Sequence, residues 1–212
     1  KRAFSAITAV VSTLQSGDRV LAEENIYGCT FRLFAQVFAK FGVSIDYVDL
    51  TDPQEIDAIA EKKPTLIWNE SPTNPLLKVL DIARIAQAAQ VAEAPLLVDN
   101  TFASSYLQRP LELGATLSLL STTKYTNGHS DALGGAVCSD DESWQEKLIF
   151  AQKALGLQPS PFASWLTLRG AKTEALRMER HSATALAFAQ FLEDDSPAQR
   201  VRYPFLPSHP QH

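Results

Sequence analysis

Residues 94–100 read Ala94-Pro95-Leu96-Leu97-Val98-Asp99-Asn100, and this short run gives the strongest indication of the architecture. A strand with one face in water alternates apolar and polar residues, whereas a strand covered on both faces is apolar throughout. Similar runs recur along the chain, and the first five start roughly every 25 residues, which suits a strand followed by a crossover helix. The predicted strands cover residues 19–22, 44–48, 65–69, 95–99, 117–121 and 134–138. The sequence therefore predicts an α/β domain with a mostly parallel sheet flanked by helices.

Helix signals occupy the intervals between these strands. Pro53 followed by Glu55 is typical of a first helical turn, and Asp81 is a predicted N-cap. The buried stripe expected after Asp81 consists of Ile82, Ile85, Ala86 and Ala89. After residue 140 the pattern is helical, and Thr173 is the predicted N-cap of a long helix. The apolar seam expected on that helix consists of Met178, Ala185, Ala189 and Leu192.

The composition excludes several classes of protein. The chain has 212 residues, of which 45% are hydrophobic and 20% are charged, and these values suit one sizeable globular domain. Its formal net charge of −5 argues against a nucleic-acid binder, which normally carries a basic patch. No apolar run reaches the ~18 residues that a membrane helix needs. The two cysteines are too few for a secreted disulfide framework, so we expect a cytoplasmic protein.

Both ends of the chain suggest a larger protein. Lys1 stands where an initiator methionine would be and directly precedes a helical pattern, so we expect the natural start and any targeting signal to be missing. Residues 203–212 hold three prolines and are typical of a linker. We therefore predict a large domain over residues 1–202, followed by a linker over residues 203–212 that leads to an absent small C-terminal domain.

The densest group of polar side chains follows the fifth predicted strand and reads Ser121-Thr122-Thr123-Lys124-Tyr125-Thr126-Asn127-Gly128-His129-Ser130-Asp131. Ligands of open α/β sheets bind beyond the carboxyl ends of the strands, which is where this segment is expected. Lys124 can hold a phosphate as a point charge, but the Gly-rich spacing of a Walker loop is missing. It can instead form a Schiff base with a cofactor whose phosphate binds the neighbouring hydroxyl groups. For a single lysine, a solvated loop position is the ordinary alternative.

Asp99 ends an apolar strand, and a carboxylate is costly to bury unless a positive partner compensates it. A pyridinium nitrogen is such a partner, and pyridoxal phosphate enzymes supply an aspartate to it. A capping or turn aspartate is the ordinary alternative. Asp99 and Lys124 are one strand–helix–strand unit apart, so both are expected at the same edge of the sheet. This coincidence favours a cofactor site over two unrelated polar residues.

Two further segments follow strands and are predicted to reach the same edge. Tyr27, in Asn25-Ile26-Tyr27-Gly28-Cys29-Thr30, can stack on an aromatic cofactor or take part in proton transfer. Asn74, in Glu70-Ser71-Pro72-Thr73-Asn74-Pro75, lies in a loop that two prolines stiffen, and it can bond to a ring substituent. Ordinary turn chemistry is the alternative for both residues.

Two other kinds of site are not supported by the sequence. A dinucleotide site needs a Gly-x-Gly-x-x-Gly fingerprint after the first strand, and Gly134-Gly135 does not supply one. His209 and His212 are weak candidates for metal ligands, because no cysteine or carboxylate accompanies them. We therefore expect no metal site.

Several segments together resemble one family. The run 121–131, with Gly134-Gly135 after it, is similar to the cofactor-lysine signature of the Cys/Met-metabolism pyridoxal phosphate enzymes. The likeness continues in segments 70–75, 99–104, 108–115 and 177–181 and in the closing residues 206–212, so it spans nearly the whole chain. The resemblance implies the large domain of the aspartate-aminotransferase type (fold type I), with pyridoxal 5'-phosphate as the cofactor. It also implies an amino-acid substrate and a homotetramer built as a dimer of dimers.

The resemblance also implies roles for individual residues. Lys124 is expected to form the Schiff base and Asp99 to pair with the pyridinium nitrogen. The residues expected around the rest of the cofactor are Ser121 and Thr123 at the phosphate, Asn74 near the 3-hydroxyl and Tyr27 on the ring, where it also takes part in proton transfer. Ala3 and Phe4 match, by position, the backbone amides at a helix N-terminus that bind the phosphate. The family usually has Gly-Met there, so the Cβ of Ala3 is expected to crowd the phosphate.

The activity implied is γ-elimination or γ-replacement on sulfur amino acids, of the cystathionine γ-lyase or cystathionine γ-synthase type. Cys29, directly after Tyr27-Gly28, resembles methionine γ-lyase instead, and O-acetylhomoserine sulfhydrylase is a further alternative. The family also uses a Tyr and an Arg from a partner subunit to bind the phosphate, and a further Arg to bind the substrate carboxylate. The positions of these three residues fall outside the present sequence. If the 212 residues were the whole molecule, we would expect a non-catalytic cofactor-binding or interaction domain with little turnover.

Overall fold

A six-stranded sheet flanked by helices forms the centre of the computed structural model, which describes residues 4–212. The strands are β1 (Arg19–Glu23), β2 (Ser44–Val48), β3 (Leu66–Glu70), β4 (Leu96–Asp99), β5 (Leu117–Leu120) and β6 (Ala136–Cys138). Their order along the sheet is β2-β1-β3-β4-β5-β6, and only the β5–β6 pair is antiparallel within this sheet. The predicted mostly parallel sheet is confirmed, and each strand begins and ends within two residues of its predicted position.

Side-chain caps begin some of the helices and not others. They are α1 (Phe4–Val11), α2 (Gly28–Gln36), α3 (Pro53–Asp57), α4 (Ile59–Lys62), α5 (Ile82–Val91), α6 (Ser104–Leu107), α7 (Glu142–Ala154), α8 (Pro161–Ala171) and α9 (Glu174–Asp194). The predicted cap of α5 is confirmed, because Asp81 accepts a hydrogen bond from the backbone N–H of Arg84 at 3.0 Å. The predicted cap of α9 is wrong, because the Thr173 hydroxyl donates backwards to the carbonyl of Gly170 at 3.2 Å.

Two apolar layers cover the two faces of the sheet. Trp68 and Leu97 pack in one layer with side chains of α1 and α2, whereas Leu96 and Val98 pack in the other layer with side chains of α5. Neighbouring residues of a strand point to opposite faces, so both kinds of position are apolar in β4. Leu96, Leu97 and Val98 are each at most 1% exposed. This burial on both faces explains why the run is continuous rather than alternating.

The parallel strands end at one edge of the sheet, which we call the carboxyl edge. Glu70 is the last residue of β3 and Asp99 the last residue of β4, and the strand register pairs these two residues directly. β5 ends at Leu120, so the segment that carries Lys124 leaves the sheet at the same edge. The candidate site is therefore positioned by the parallel register of β3, β4 and β5.

The closing residues lie against the domain. Leu206 and His209 are buried, and His209 Nε2 lies 2.9 Å from the carbonyl oxygen of Leu77. The Ser208 hydroxyl donates to the Glu193 carboxylate. The linker role predicted for residues 203–212 stays a prediction. Within residues 4–212, none of the helices combines the length and the apolar character that crossing a membrane requires.

Candidate active site

Asp99 is a buried carboxylate at the carboxyl edge, with 5% of its surface exposed. Thr101 donates two hydrogen bonds to its Oδ1, from the backbone N–H at 3.1 Å and from the hydroxyl at 2.5 Å. Burial raises the pKa of Asp99 in spite of these two bonds. A positively charged partner would therefore stabilise this side chain more than its present surroundings do.

A second buried carboxylate, Glu70, lies beside Asp99. Only 5% of its surface is exposed, and the backbone N–H of Tyr27 donates to its Oε2 at 2.7 Å. Burial, and after it the neighbouring charge of Asp99, raises the pKa of Glu70. Sequence reasoning missed Glu70 as a site residue. The signal that could have found it is the one used for Asp99, a carboxylate that ends an apolar strand.

Thr101 connects Asp99 to the segment of Lys124. The backbone N–H of Ser121 donates to Thr101 Oγ1 at 2.9 Å, while the same hydroxyl donates to Asp99. The hydroxyl of Ser121 is buried and has no hydrogen-bond partner within residues 4–212. A buried polar group left in this state costs about 1–3 kcal/mol. Its position therefore suits an acceptor supplied by a ligand.

The Thr123 hydroxyl has a protein partner, unlike that of Ser121. It accepts a hydrogen bond from the backbone N–H of Gly134 at 3.0 Å and lies 3.3 Å from the carbonyl oxygen of the same residue. Thr123 thus links the segment of Lys124 to Gly134, which lies two residues before β6. A phosphate role for this hydroxyl stays a prediction.

Lys124 lies in a turn that directly follows β5. Its backbone N–H donates to the carbonyl of Ser121 at 3.0 Å, and its own carbonyl accepts from Gly128 at 2.7 Å. Its side chain is exposed. The turn therefore holds the backbone of Lys124 at the carboxyl edge and leaves its amine accessible to a ligand.

Tyr27 and Asn74 reach the same edge from β1 and β3. Tyr27 precedes α2 at the N-cap position, and its side chain is exposed. The backbone of Asn74 also hydrogen-bonds to Glu70, so this one carboxylate holds both loops. Asn25 Oδ1 ties the loops together again by accepting from the Thr73 hydroxyl at 2.8 Å, a contact that the sequence did not suggest.

Hydrogen bonds and register thus bring together Tyr27, Asn74, Asp99 and Ser121, with Lys124 in the adjoining turn. Phe4 is the first residue of α1, a helix that contacts β5. Ala3 lies outside the described residues. The predicted contacts of Ala3 and Phe4 with a phosphate therefore stay predictions.

Comparison with known proteins identifies the family. The family model described as Cys/Met metabolism PLP-dependent enzyme matches residues 3–212. The chain belongs to this family. The cofactor of the family is pyridoxal phosphate, as predicted.

Individual members of the family are similar over the whole chain. A probable cystathionine gamma-synthase of Herpetosiphon aurantiacus is 47% identical over 209 residues, which are 99% of this chain and 66% of that protein. A cystathionine gamma-lyase of Rattus norvegicus is 43% identical over 212 residues, which are 100% of this chain and 53% of that protein. The chain therefore spans about half to two thirds of the length of these relatives.

Solved structures of the family confirm the fold class. The crystal structure of metB from Corynebacterium glutamicum matches with a TM-score of 0.96 and 42% identity, over 100% of this chain and 55% of that one. Cystathionine gamma synthase from Xanthomonas oryzae pv. oryzae, in complex with cystathionine, matches with a TM-score of 0.96 and 40% identity, over the same shares of the two chains. The described residues thus have the large-domain fold of the fold type I enzymes.

Proposed function

We propose that the full-length protein is a pyridoxal phosphate-dependent trans-sulfuration enzyme that acts at Cγ or Cβ of sulfur amino acids. The observation that carries this proposal is the pair of adjacent buried carboxylates Glu70 and Asp99. Within residues 4–212, no ion pair reaches either of them. Such a pair is stabilised by a bound proton or by a cationic group. The protonated ring nitrogen of the family's cofactor supplies one.

The residues at the carboxyl edge fit this cofactor. Asp99 would hold the ring nitrogen, and the partnerless hydroxyl of Ser121 would donate to the phosphate. The exposed amine of Lys124 would hold the aldehyde carbon. We assign Thr123 to the phosphate and Asn74 to the 3-hydroxyl on the strength of the family resemblance. These assignments give a cationic partner to the Asp99 carboxylate and an acceptor to the Ser121 hydroxyl.

When bound, pyridoxal phosphate withdraws electrons from the substrate and makes the proton on Cα acidic. Lys124 Nζ would take this proton and then carry a proton toward Cβ, beside the departing γ-substituent. Tyr27 would pack on the ring and share the proton transfer through its phenol. Its backbone is held for this task by the 2.7 Å hydrogen bond to Glu70. Asp99, fixed by Thr101, would keep the ring nitrogen protonated.

Within the family we propose a cystathionine γ-synthase or γ-lyase type of activity. Relatives named cystathionine gamma-synthase, gamma-lyase and beta-lyase are 47%, 44% and 44% identical, respectively, which supports cystathionine chemistry. Methionine γ-lyase and O-acetylhomoserine sulfhydrylase are the alternatives. The half-buried Cys29, next to the site, is the residue that favours methionine γ-lyase.

Product analysis with the full-length protein tests this proposal. The substrates are cystathionine, O-succinylhomoserine with cysteine, methionine, and O-acetylhomoserine with sulfide. Cystathionine formed from the succinyl ester, or cysteine released from cystathionine, is the expected result. Methanethiol released from methionine as the main product would favour methionine γ-lyase. A protein that shows no visible cofactor absorbance and no turnover of any substrate would contradict an enzymatic function.

We further propose that the protein is a homo-oligomer, a tetramer built as a dimer of dimers. Apolar side chains on α7 and α8 support this proposal, since Phe150, Phe162, Trp165 and Leu168 are each more than half exposed. Exposed apolar surface of this kind marks protein–protein contacts. Light scattering of the full-length protein is expected to give the mass of a tetramer and a smaller species for Trp165→Glu. Glu61→Lys, on α4, is the control that should not change the mass.

We also propose a cytoplasmic location. Cys29 and Cys138 are both free cysteines, and a reducing compartment keeps such thiols unpaired. Cell fractionation tests this proposal, and recovery of the protein in a membrane or secreted fraction would contradict it.

A further inference from the structure

The turn that carries Lys124 is held by its own hydrogen bonds and by α9. We call residues 121–128 the lysine turn. Inside it, the backbone N–H of Asn127 donates to the carbonyl of Thr122 at 2.9 Å, and that of Gly128 donates to the carbonyl of Lys124 at 2.7 Å. The carbonyls of the two residues after Lys124 are not used by these bonds. They are therefore open to a donor from outside the turn.

Arg177, on α9, supplies that donor. Its Nη1 donates to the carbonyl of Tyr125 at 2.6 Å, and its Nη2 lies 3.4 Å from the carbonyl of Thr126. Nη2 also donates to the carbonyl of Gly170, in the last turn of α8, at 2.9 Å. Nε donates to the Thr173 hydroxyl at 3.1 Å. One guanidinium thus joins the lysine turn, the end of α8 and the start of α9.

Two glycines make room for this junction. A Cβ added to Gly128, whose φ is +73°, would lie 2.1 Å from Arg177 Nη1. A Cβ added to Gly170 would lie 2.0 Å from the carbonyl oxygen of Asn127. Real Cβ atoms do not approach other atoms this closely. A side chain at Gly128 would therefore displace the guanidinium of Arg177, and one at Gly170 would push the lysine turn away from α8. The close approach of the turn to Arg177 is therefore part of the packing of the domain.

We propose that Arg177 is a positioning residue for Lys124, a role that rests on the proposed function of Lys124. The guanidinium holds the carbonyl of the residue that directly follows Lys124, so it sets the direction in which the lysine backbone leaves the turn. A displacement of about 1 Å at a reacting group can cost about 100-fold in rate. Arg177 touches neither cofactor nor substrate in this role and acts only through the turn.

The chemistry of the contact requires arginine. The guanidinium is planar and carries five N–H donors in a rigid fork, so it can reach acceptors on three sides at once. A lysine ammonium has one nitrogen at the end of a flexible stem and cannot span the carbonyls of Tyr125 and Gly170 together. Among the described residues, two weaker contacts between the lysine turn and α9 remain without Arg177. They are the 3.5 Å bond from the Thr126 hydroxyl to Glu174 and the ring contact of Tyr125 with His181, whose centroids are 5.8 Å apart.

The test compares Arg177→Ala and Arg177→Lys with Arg180→Ala in the full-length protein. Arg180 is exposed on the same helix, and no hydrogen bond or ion pair involves its side chain in the described part of the chain. The first measurement is amide hydrogen exchange of the lysine turn in the cofactor-free protein. We expect the amides of Asn127 and Gly128 to exchange faster in both Arg177 variants and at the wild-type rate in Arg180→Ala. This measurement does not depend on the proposed enzymatic function.

The second measurement is made on the cofactor-loaded protein. We expect kcat to fall about 10- to 100-fold in Arg177→Ala, with the visible cofactor band titrating at a different pH than in wild type. Added guanidinium chloride, at concentrations that leave wild-type activity unchanged, is expected to restore part of kcat in Arg177→Ala only. Arg177→Lys is expected to fall between Arg177→Ala and wild type.

The outcomes separate the two proposals. If wild type shows neither band nor turnover, the proposed function is wrong, and the exchange rates alone decide whether Arg177 holds the turn. If wild type is active and both Arg177 variants keep its band, kcat and exchange rates, the positioning role is wrong. It is also wrong if kcat falls without any change in the pH titration of the band and guanidinium restores nothing, because Arg177 would then only support folding. If Arg177→Ala does not fold, the same measurements on Arg177→Lys decide.

Discussion

Two groups of carboxylates at the carboxyl edge differ in what compensates their charge. Glu23 ends β1, Glu24 follows it and Asp49 follows β2, and their carboxylates surround the ammonium group of Lys78. Lys78 Nζ lies 2.9 Å from Glu24 Oε1, 2.9 Å from Asp49 Oδ1 and 3.4 Å from Glu23 Oε1. The acidic side chains thus have their cation within the chain. Although burial lowers the pKa of Lys78, hydrogen bonds to Asp49 and Glu24 outweigh it and raise this pKa overall.

Glu70 and Asp99 end β3 and β4, and no cation in residues 4–212 forms an ion pair with either of them. Both are 5% exposed, and burial raises the pKa of each carboxyl. The Lys78 cluster is a closed structural unit, because one ammonium group contacts all three carboxylates before any ligand arrives. The pair at β3 and β4 is open, and a positively charged ligand completes it. The presence of an internal cation therefore separates a structural acidic cluster from a candidate binding site in this fold.

The largest difference is expected between the two lysines. Lys124→Ala should abolish the visible absorbance of bound pyridoxal phosphate and the activity, because the amine that would hold the cofactor is removed. Lys78→Ala, in the closed cluster, should keep the absorbance. Absorption spectra of the purified full-length variants measure both effects. An unchanged spectrum in Lys124→Ala would mean that another lysine binds the cofactor.

The next effect concerns the two aspartates. Asp99→Asn should lower kcat about 100- to 1,000-fold, because a neutral amide cannot hold the ring nitrogen in its protonated form. Asp49→Asn, in the Lys78 cluster, is the matched control and should leave kcat near the wild-type value. Steady-state kinetics with the preferred substrate compares them. Equal losses in the two variants would remove the distinction between an open and a closed cluster.

Lys78 is expected to matter for stability rather than for catalysis. Lys78→Met leaves Glu23, which is 0% exposed, without a cation. Breaking a buried charge pair from one side costs about 3–5 kcal/mol, so we expect the free energy of unfolding to fall by about 3 kcal/mol. Urea denaturation of the full-length protein measures this change, with the exposed Lys153→Met as the control. A stability equal to that of the control would show that Glu23 needs no partner.

The smallest effect is a pH dependence of the cofactor-free protein. Folding raises the pKa of Glu70 above its ordinary value of 4.5, so the folded state binds a proton that the unfolded state has already released. The stability from this group is fully present below pH 4.5 and is lost as the pH rises towards the folded-state pKa. The melting temperature should therefore fall with rising pH, and Glu70→Gln should flatten this slope. A steeper slope in Glu70→Gln would mean that Glu70 is ionised when folded.

Much of the fold could be predicted because its signals are local. Buried strands of a parallel sheet are apolar on both faces, so Leu96, Leu97 and Val98 identify β4 without any knowledge of its neighbours. Asp81 caps α5 through a bond to a residue three positions away, which sequence spacing can foresee. Thr173 shows the limit of this reasoning. Its hydroxyl is taken by Gly170 and Arg177, which lie three and four positions away, and spacing alone does not show which local partner a hydroxyl takes.

The order of residues predicted the acidic end of β4, the lysine 25 positions later and the family signature around that lysine. Each of these depends on neighbours along the chain. The tertiary structure decided which charges are compensated. Glu70 lies beside Asp99 through strand register, Lys78 reaches Glu23 across 55 positions, and Arg177 reaches Tyr125 across 52. Contacts of this kind depend on how separate elements pack. Burial then sets the energy of each charge, and burial is a property of the folded domain rather than of any single segment.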